Sequence, residues 1–210
     1  SLKVLLDILK TILEQGDSYG SLDENGKKPF AGRNVMVEFA SPNTNKPLHL
    51  GHLRNDSFGE SVSRIFAYNN AEVKKVNLIN DRGIHICKSM AAYRKFGAGT
   101  TPESKNMKGD HFVGDYYVKY NFWSKDDAGA EPIAREMLVK WEAGDEEIVK
   151  LWKLMNGWTI DGIFQTYKKT GISFDKIYYE SQTYKSGKDL IMQGLEKGIF
   201  FKDENGAICI

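Results

Sequence analysis

Cysteine is scarce in this 210-residue chain, with Cys87 and Cys209 the only two. Two thiols cannot build a disulfide framework, which excludes the small disulfide-stapled secreted class and makes the reducing cytoplasm the default compartment. Long apolar runs are missing too, and none approaches the roughly 20 residues that a membrane span needs. Net charge is nearly absent: 29 Lys and Arg against 28 Asp and Glu leave +1. That balance excludes a protein holding nucleic acid by bulk charge alone, though not one with a local basic groove. The sequence shows no charged-then-apolar leader with a small-residue cleavage site, no internal repeat and no low-complexity tract. What is present is core material. At 41% hydrophobic and 12% aromatic residues, the chain buries a real interior, and fibrous and disordered classes drop out.

Both ends read as cut. The chain opens on Ser1 and runs straight into an amphipathic segment. It closes on Ala207-Ile208-Cys209-Ile210 after the turn-like Asp203-Glu204-Asn205-Gly206, which predicts the second strand of a hairpin. The expectation is a piece of a longer protein.

Val4, Leu5, Ile8, Leu9, Ile12 and Leu13 recur at helical spacing, and Gly16 is a stop. Residues 1–32 therefore read as the end of a preceding domain plus a polar linker. Val35 to Phe39 predicts a buried strand, Phe58 to Phe66 a helix, Val73 to Ile79 a second strand, and Ile86 to Ala91 another helix. Strand, helix, strand, helix is the opening of a parallel α/β sheet, here over residues 33–96. Residues 97–150 break the rhythm and read as an insertion, with Tyr116, Tyr117, Tyr120, Phe122 and Trp123 predicted to form a small core rather than a base-stacking platform. The sheet domain then continues over 151–210, with a third strand in the run Ile172 to Tyr179.

Chemistry concentrates in Ser41 to Arg54, which reads SPNTNKPLHLGHLR. His49 and His52 flank Leu50-Gly51 at the start of a helix that follows a strand. A helix start offers unpaired N–H groups and the positive end of the dipole, a combination that favours phosphate. Histidines three apart in a first turn face one ligand, Gly51 lets a flat base approach the backbone, and Lys46 adds a cation. A metal pair is disfavoured, because helical ligands prefer a spacing of four and no nearby acid or cysteine completes a set.

His49-Leu50-Gly51-His52, in the first turn after the first strand, resembles the HIGH signature of class I aminoacyl-tRNA synthetases. Within that class, Val37 to Asn55 (VEFASPNTNKPLHLGHLRN), Val76 to Gly83 (VNLINDRG) and Phe174 to Gln182 (FDKIYYESQ) resemble arginyl-tRNA synthetase, in the expected order. The resemblance implies the first half of a Rossmann-like nucleotide-binding domain with an inserted, mostly helical subdomain. It also implies ATP-dependent activation of L-arginine to arginyl-adenylate and transfer to tRNA(Arg), with Mg²⁺ accompanying ATP and a parent enzyme acting as a monomer. By the family pattern His49 and His52 contact the ATP phosphates, Gly51 lies under the adenine, and Lys46 stabilises the pentavalent phosphate. Ser41 and Asn43 line the arginine pocket, and Glu180 takes the guanidinium, whose rigid fork demands a carboxylate. Gln182 and Ser181 are weaker companions. Asp81 matches the Asp of a Gly-Asp-Trp-Gly segment and is expected among the arginine-binding residues, although here the segment is Asn80-Asp81-Arg82-Gly83. His85 and His111 receive no role. The family's second nucleotide loop, the rest of the arginine pocket and the anticodon-binding domain are expected beyond Ile210, so this piece alone is expected not to aminoacylate.

Two other readings compete. Another adenylyltransferase with the same histidine signature would activate a small carboxylic acid without tRNA; the Ser-Pro-Asn approach and the Glu-Ser-Gln segment argue against it. A non-catalytic synthetase-like module would bind RNA or protein, and would have no need of His49, His52 and Lys46.

Overall fold

Three short apolar runs pair as one parallel sheet in the computed structural model, which describes residues 2–21, 26–204 and 206–210. The chain begins with helix α1 (Leu2–Gln15), as its spacing predicts, but the helix buries none of its residues, and Leu5, Leu9 and Leu13 stay exposed. Strand β1 (Asn34–Glu38) follows, then α2 (Leu50–Tyr68) and β2 (Glu72–Ile79). β3 (Lys176–Tyr179) completes the order β1-β2-β3, with Val35 opposite Val73 and Leu78 opposite Tyr178. Parallel neighbours require long crossovers. α2 makes the first, and α3 (Ile84–Phe96), α4 (Gly109–Asp126), α5 (Ala130–Glu142) and α6 (Glu146–Thr170) fill the second.

Two cores result. Phe39, Ala40, Ile163, Tyr167 and Ile172 join the sheet to the second half of α6. α2 lies close on the same side: a Cβ at Gly59 would sit 2.0 Å from Phe39 Cγ, so only glycine permits this approach. Gly59→Ala is expected to cost about 2–3 kcal/mol of stability through overpacking, read as a lowered melting temperature. The larger core is helical. Met90, Phe112, Tyr116, Tyr120, Met137 and Met155 gather α3 to α6, so α3 and the first half of α6 share one interior with the predicted insertion. Of the five aromatics expected there, Tyr116, Tyr120 and Trp123 are buried, while Phe122 is 64% exposed.

The third strand is shorter than its apolar run. Gly171 ends α6 in a left-handed conformation (φ 73°), and Ile172 and Phe174 turn into the core before pairing begins. Asp175 starts the ladder, its N–H donating to the Lys75 carbonyl (2.8 Å) and its carboxylate accepting from Lys75 N–H (2.7 Å). Helix α7 (Glu180–Glu196) leaves β3 directly, and β4 (Phe201–Lys202) pairs antiparallel with β5 (Ile208–Cys209) as the hairpin signal predicts. Asn205 of that turn, like residues 22–25 of the linker, lies outside the described residues.

Candidate active site

The carboxyl edge of the sheet gathers the predicted residues because three strands end there and each feeds a loop or helix start. At the first, His49 is the N-cap of α2. Its Nδ1 accepts from Gly51 N–H at 3.1 Å, while His52 Nδ1 accepts from His49 N–H at 3.1 Å. This is a reciprocal capping box built from two imidazoles instead of the usual hydroxyl and carboxylate. The rings lie against each other with centroids 4.0 Å apart and their planes tilted by 46°. Because both Nδ1 atoms act as acceptors, each ring carries its proton on Nε2 and offers that N–H outward. The structure gives glycine at 51 a reason of its own: a Cβ there would press on the His49 ring at 2.9 Å. Burial first, then the neighbouring His49 and Lys46, hold the His52 pKa below its ordinary 6.5. The neutral ring that the capping geometry needs is therefore favoured.

Between β1 and α2 the chain bends sharply. Ala40 (φ 71°) and Ser41 (φ 45°) are consecutive left-handed residues, a conformation that surrounding contacts must enforce. Fully buried Asn77 supplies one such contact, accepting from Ser41 N–H through Oδ1 (3.1 Å) while its Nδ2 donates to Tyr167 Oη (3.3 Å). Ser41 Oγ donates to Glu38 Oε1 at 3.4 Å. Past the bend, Asn80 N–H donates to the Pro42 carbonyl (3.0 Å) and Thr44 N–H to the Asn80 carbonyl (3.1 Å). Asn43 is thereby bridged in parallel to Asn80, one residue beyond β2.

Asn80 connects the two halves of the predicted arginine pocket. With its amide nitrogen toward Glu180, it donates to Glu180 Oε2 and to the Arg82 carbonyl (3.0 Å), and the other end of the amide meets the Asn43 side chain at 2.8 Å. Asn43 and Glu180 are thus brought together. Asp81 is turned differently: it is buried, and its carboxylate accepts from Ser181 N–H (2.8 Å) and Ser181 Oγ (2.6 Å). Its carbonyl accepts from Trp152 Nε1 (2.6 Å) and Asn156 Nδ2 (3.0 Å). An acid at a helix start complements the dipole, so Asp81 fixes the first turn of α7 and with it Glu180. Gln182 is exposed on α7, and two positions along a helix it faces away from Glu180. His85 is exposed, with Nδ1 3.0 Å from Tyr117 Oη.

Behind the α2 start, a cavity of about 430 Å³ lies between α2, α4 and α6, lined by Leu48, His49, Asp56, Lys108 and His111 among others. Asp56 is 1% exposed, and its Oδ1 is buried with no hydrogen-bond partner among the described residues. Burial raises its pKa from the ordinary 3.8 to about 6. The folded protein therefore binds this proton more tightly than the unfolded chain, so Asp56 removes stability as pH rises from about 4 to about 6, and the cost is complete above that window. The shift corresponds to roughly 3 kcal/mol unscreened, and solvent in the adjoining cavity reduces it to ~1–2 kcal/mol. Asp56→Asn is expected to raise the melting temperature at pH 7.5 and to lose most of that gain at pH 4.5. Equal gains at both pH values would contradict the assignment.

The family model described as tRNA synthetases class I (R), catalytic domain, matches residues 10–210. The chain belongs to this class I synthetase family. It is similar to the arginine–tRNA ligases of Treponema denticola (55% identical over 206 residues) and Borrelia turicatae (55% over 204), each match covering 97% of this chain and 34% of the relative. The chain therefore spans about a third of the length of these curated relatives. Among solved structures, the Thermus thermophilus arginyl-tRNA synthetase superposes with a TM-score of 0.65 at 28% identity, covering 90% of this chain and 31% of that one. The Plasmodium falciparum arginyl-tRNA synthetase (TM-score 0.62, 21% identity, 91% and 31% coverage) shares the fold.

In this class I synthetase chain the departures at Asn80 and Arg82 have visible work in the site. Asn80 bridges Asn43 to Glu180. Arg82 lies 3.8 Å from Glu180 Oε1 and 2.8 Å from Glu142 Oε1. Neither was singled out by type or spacing, and neither was Asn77 or Asp56. Asn77 and Asn80 are polar residues inside or at the end of an apolar run, whereas Asp56 and Arg82 lie in polar stretches that carry no such signal. Among the described residues no group of three or more His, Cys, Asp or Glu is arranged to hold a metal ion, and no helix is long and apolar enough to cross a membrane.

Proposed function

We propose that the polypeptide carrying this chain activates L-arginine with ATP and transfers the arginyl group to tRNA(Arg). The observation that carries this is the imidazole capping box of α2 standing beside the Asn43–Asn80–Glu180 array at one sheet edge. The first provides donors for phosphate; the second provides a fixed carboxylate for a guanidinium.

The arginine carboxylate attacks the ATP α-phosphate in line, and the bond to pyrophosphate breaks, leaving arginyl-adenylate. The 2′-hydroxyl of the terminal tRNA adenosine then attacks the acyl carbon and AMP leaves. The first step needs alignment and charge neutralisation rather than a covalent nucleophile. Nε2–H of His49 and of His52 would donate to the phosphates, Lys46 would offset the charge of the pentavalent phosphorus, and Gly51 would lie under the adenine. Ser41 and Asn43 would face the α-amino and carboxylate end of arginine, and Glu180 its guanidinium. Mg²⁺ would enter with ATP, held mainly by phosphate oxygens and water.

The test is charging of purified tRNA(Arg) with labelled arginine by the full-length polypeptide. Acceptance of arginine by tRNA(Arg) and not by a tRNA of another specificity is expected. Tight ATP binding without any charging would sink the proposal.

A further inference from the structure

A resident guanidinium stands next to the carboxylate assigned to the substrate's guanidinium. Arg82 Nη1 is 3.8 Å from Glu180 Oε1, within reach of charge attraction but beyond a hydrogen bond. Three side chains on two helices fix it there. Its guanidinium lies over the Tyr184 ring of α7 (4.0 Å to the centroid) and 5.6 Å from the Trp141 ring of α5. Its Nη2 donates to Glu142 Oε1, at the end of α5, at 2.8 Å. Arg82 Nε is buried without a hydrogen-bond partner among the described residues, so this guanidinium would gain by moving onto another acceptor. Glu180 Oε1 is the carboxylate oxygen within reach, because Oε2 already takes the Asn80 amide.

We infer that Arg82 is a positioning residue held off Glu180 by Glu142, and that this anchor from the helical insertion sets the affinity for arginine. The inference rests on Glu180 being the guanidinium-binding acid. At 3.8 Å Arg82 steers the Glu180 carboxylate while leaving Oε1, and the second lone pair of Oε2, open for the two parallel bonds of a guanidinium fork. Without Glu142, Arg82 closes on Oε1 and competes with the substrate. The helical subdomain therefore contributes to the amino-acid site through one ion pair, without touching arginine.

The test uses the full-length polypeptide and arginine-dependent pyrophosphate exchange with tRNA(Arg) present. Glu142→Ala is expected to raise KM for arginine roughly fivefold or more while kcat changes little. Glu142→Gln, which keeps the acceptor and the packing, is expected to give a smaller rise, and it serves if the alanine variant is unstable. Adding Arg82→Met to Glu142→Ala removes the competitor, so the double variant is expected to have a lower KM than Glu142→Ala alone. A purely structural role gives the opposite order, with the double variant the worse. An unchanged KM in Glu142→Ala, or a double variant no better than the single, overturns the inference. If Glu180→Gln itself leaves KM for arginine unchanged, the assignment of Glu180 fails and this inference falls with it. A large effect of Glu180→Gln beside a silent Glu142→Ala removes only the inference.

Discussion

Replacing Glu180 by glutamine is expected to raise KM for arginine about a hundredfold, with a smaller change in kcat. The substitution keeps size and hydrogen-bonding reach but removes the charge that a guanidinium requires. Glu180 occupies the first position of α7 directly after β3, and Asp81 fixes that turn by accepting two hydrogen bonds from Ser181. The side chain is therefore presented on a rigid mount, and loss of charge is not recoverable by rearrangement. Steady-state exchange kinetics against arginine concentration measure the effect. A KM within about twofold of the parent would place the guanidinium elsewhere.

The second large effect belongs to His52. His52→Ala is expected to lower the rate of adenylate formation by 10²- to 10³-fold, of the order seen when one preorganised donor to a transition-state oxyanion is lost. It also deletes the acceptor for His49 N–H, a cap worth about 1 kcal/mol. His52→Asn separates the two roles: its carboxamide oxygen can still accept from His49 N–H, so the variant should melt close to the parent while staying slow. The pH dependence has a fixed sign. With the His52 pKa held below 6.5, the capping ring is neutral in the folded state, and its contribution is present above pH 6.5. As pH falls from there through the lowered value, Nδ1 protonates, the capping bond is lost, and stability declines. Rapid-quench measurement of adenylate formation, with melting curves of both variants, checks all three points.

The sheet was legible because its strands are short β-branched runs separated by helical spacing, a pattern that local periodicity carries. His49, Gly51, His52 and Lys46 were legible for a related reason: they lie within seven residues, so the strand-to-helix turn alone brings them together. Glu180 was singled out through the family resemblance, since its place after β3 would by itself make it an ordinary exposed acid. The parts that escaped depend on encounters between distant segments. Asp81 meets Ser181 a hundred positions later, and that contact turns its carboxylate toward α7 instead of an open pocket. Arg82 finds Glu142 across 60 positions. Asn77 reads as an interruption in an apolar strand, and its purpose emerges only where Ser41 adopts a left-handed backbone beside it. In the same way nothing in the alternation of residues 172–179 shows that Ile172 and Phe174 turn into the core, delaying the ladder to Asp175. The apolar stripe of α1 was equally plain in the sequence, yet the structure gives it no partner among the described residues.

The most direct test of the account is ATP–pyrophosphate exchange by the full-length polypeptide with each of the twenty amino acids, in the presence of tRNA(Arg). Exchange that depends on arginine, and that Glu180→Gln suppresses at low arginine concentration, is the predicted result. Exchange with a different amino acid, or none with arginine while ATP still binds, would contradict it.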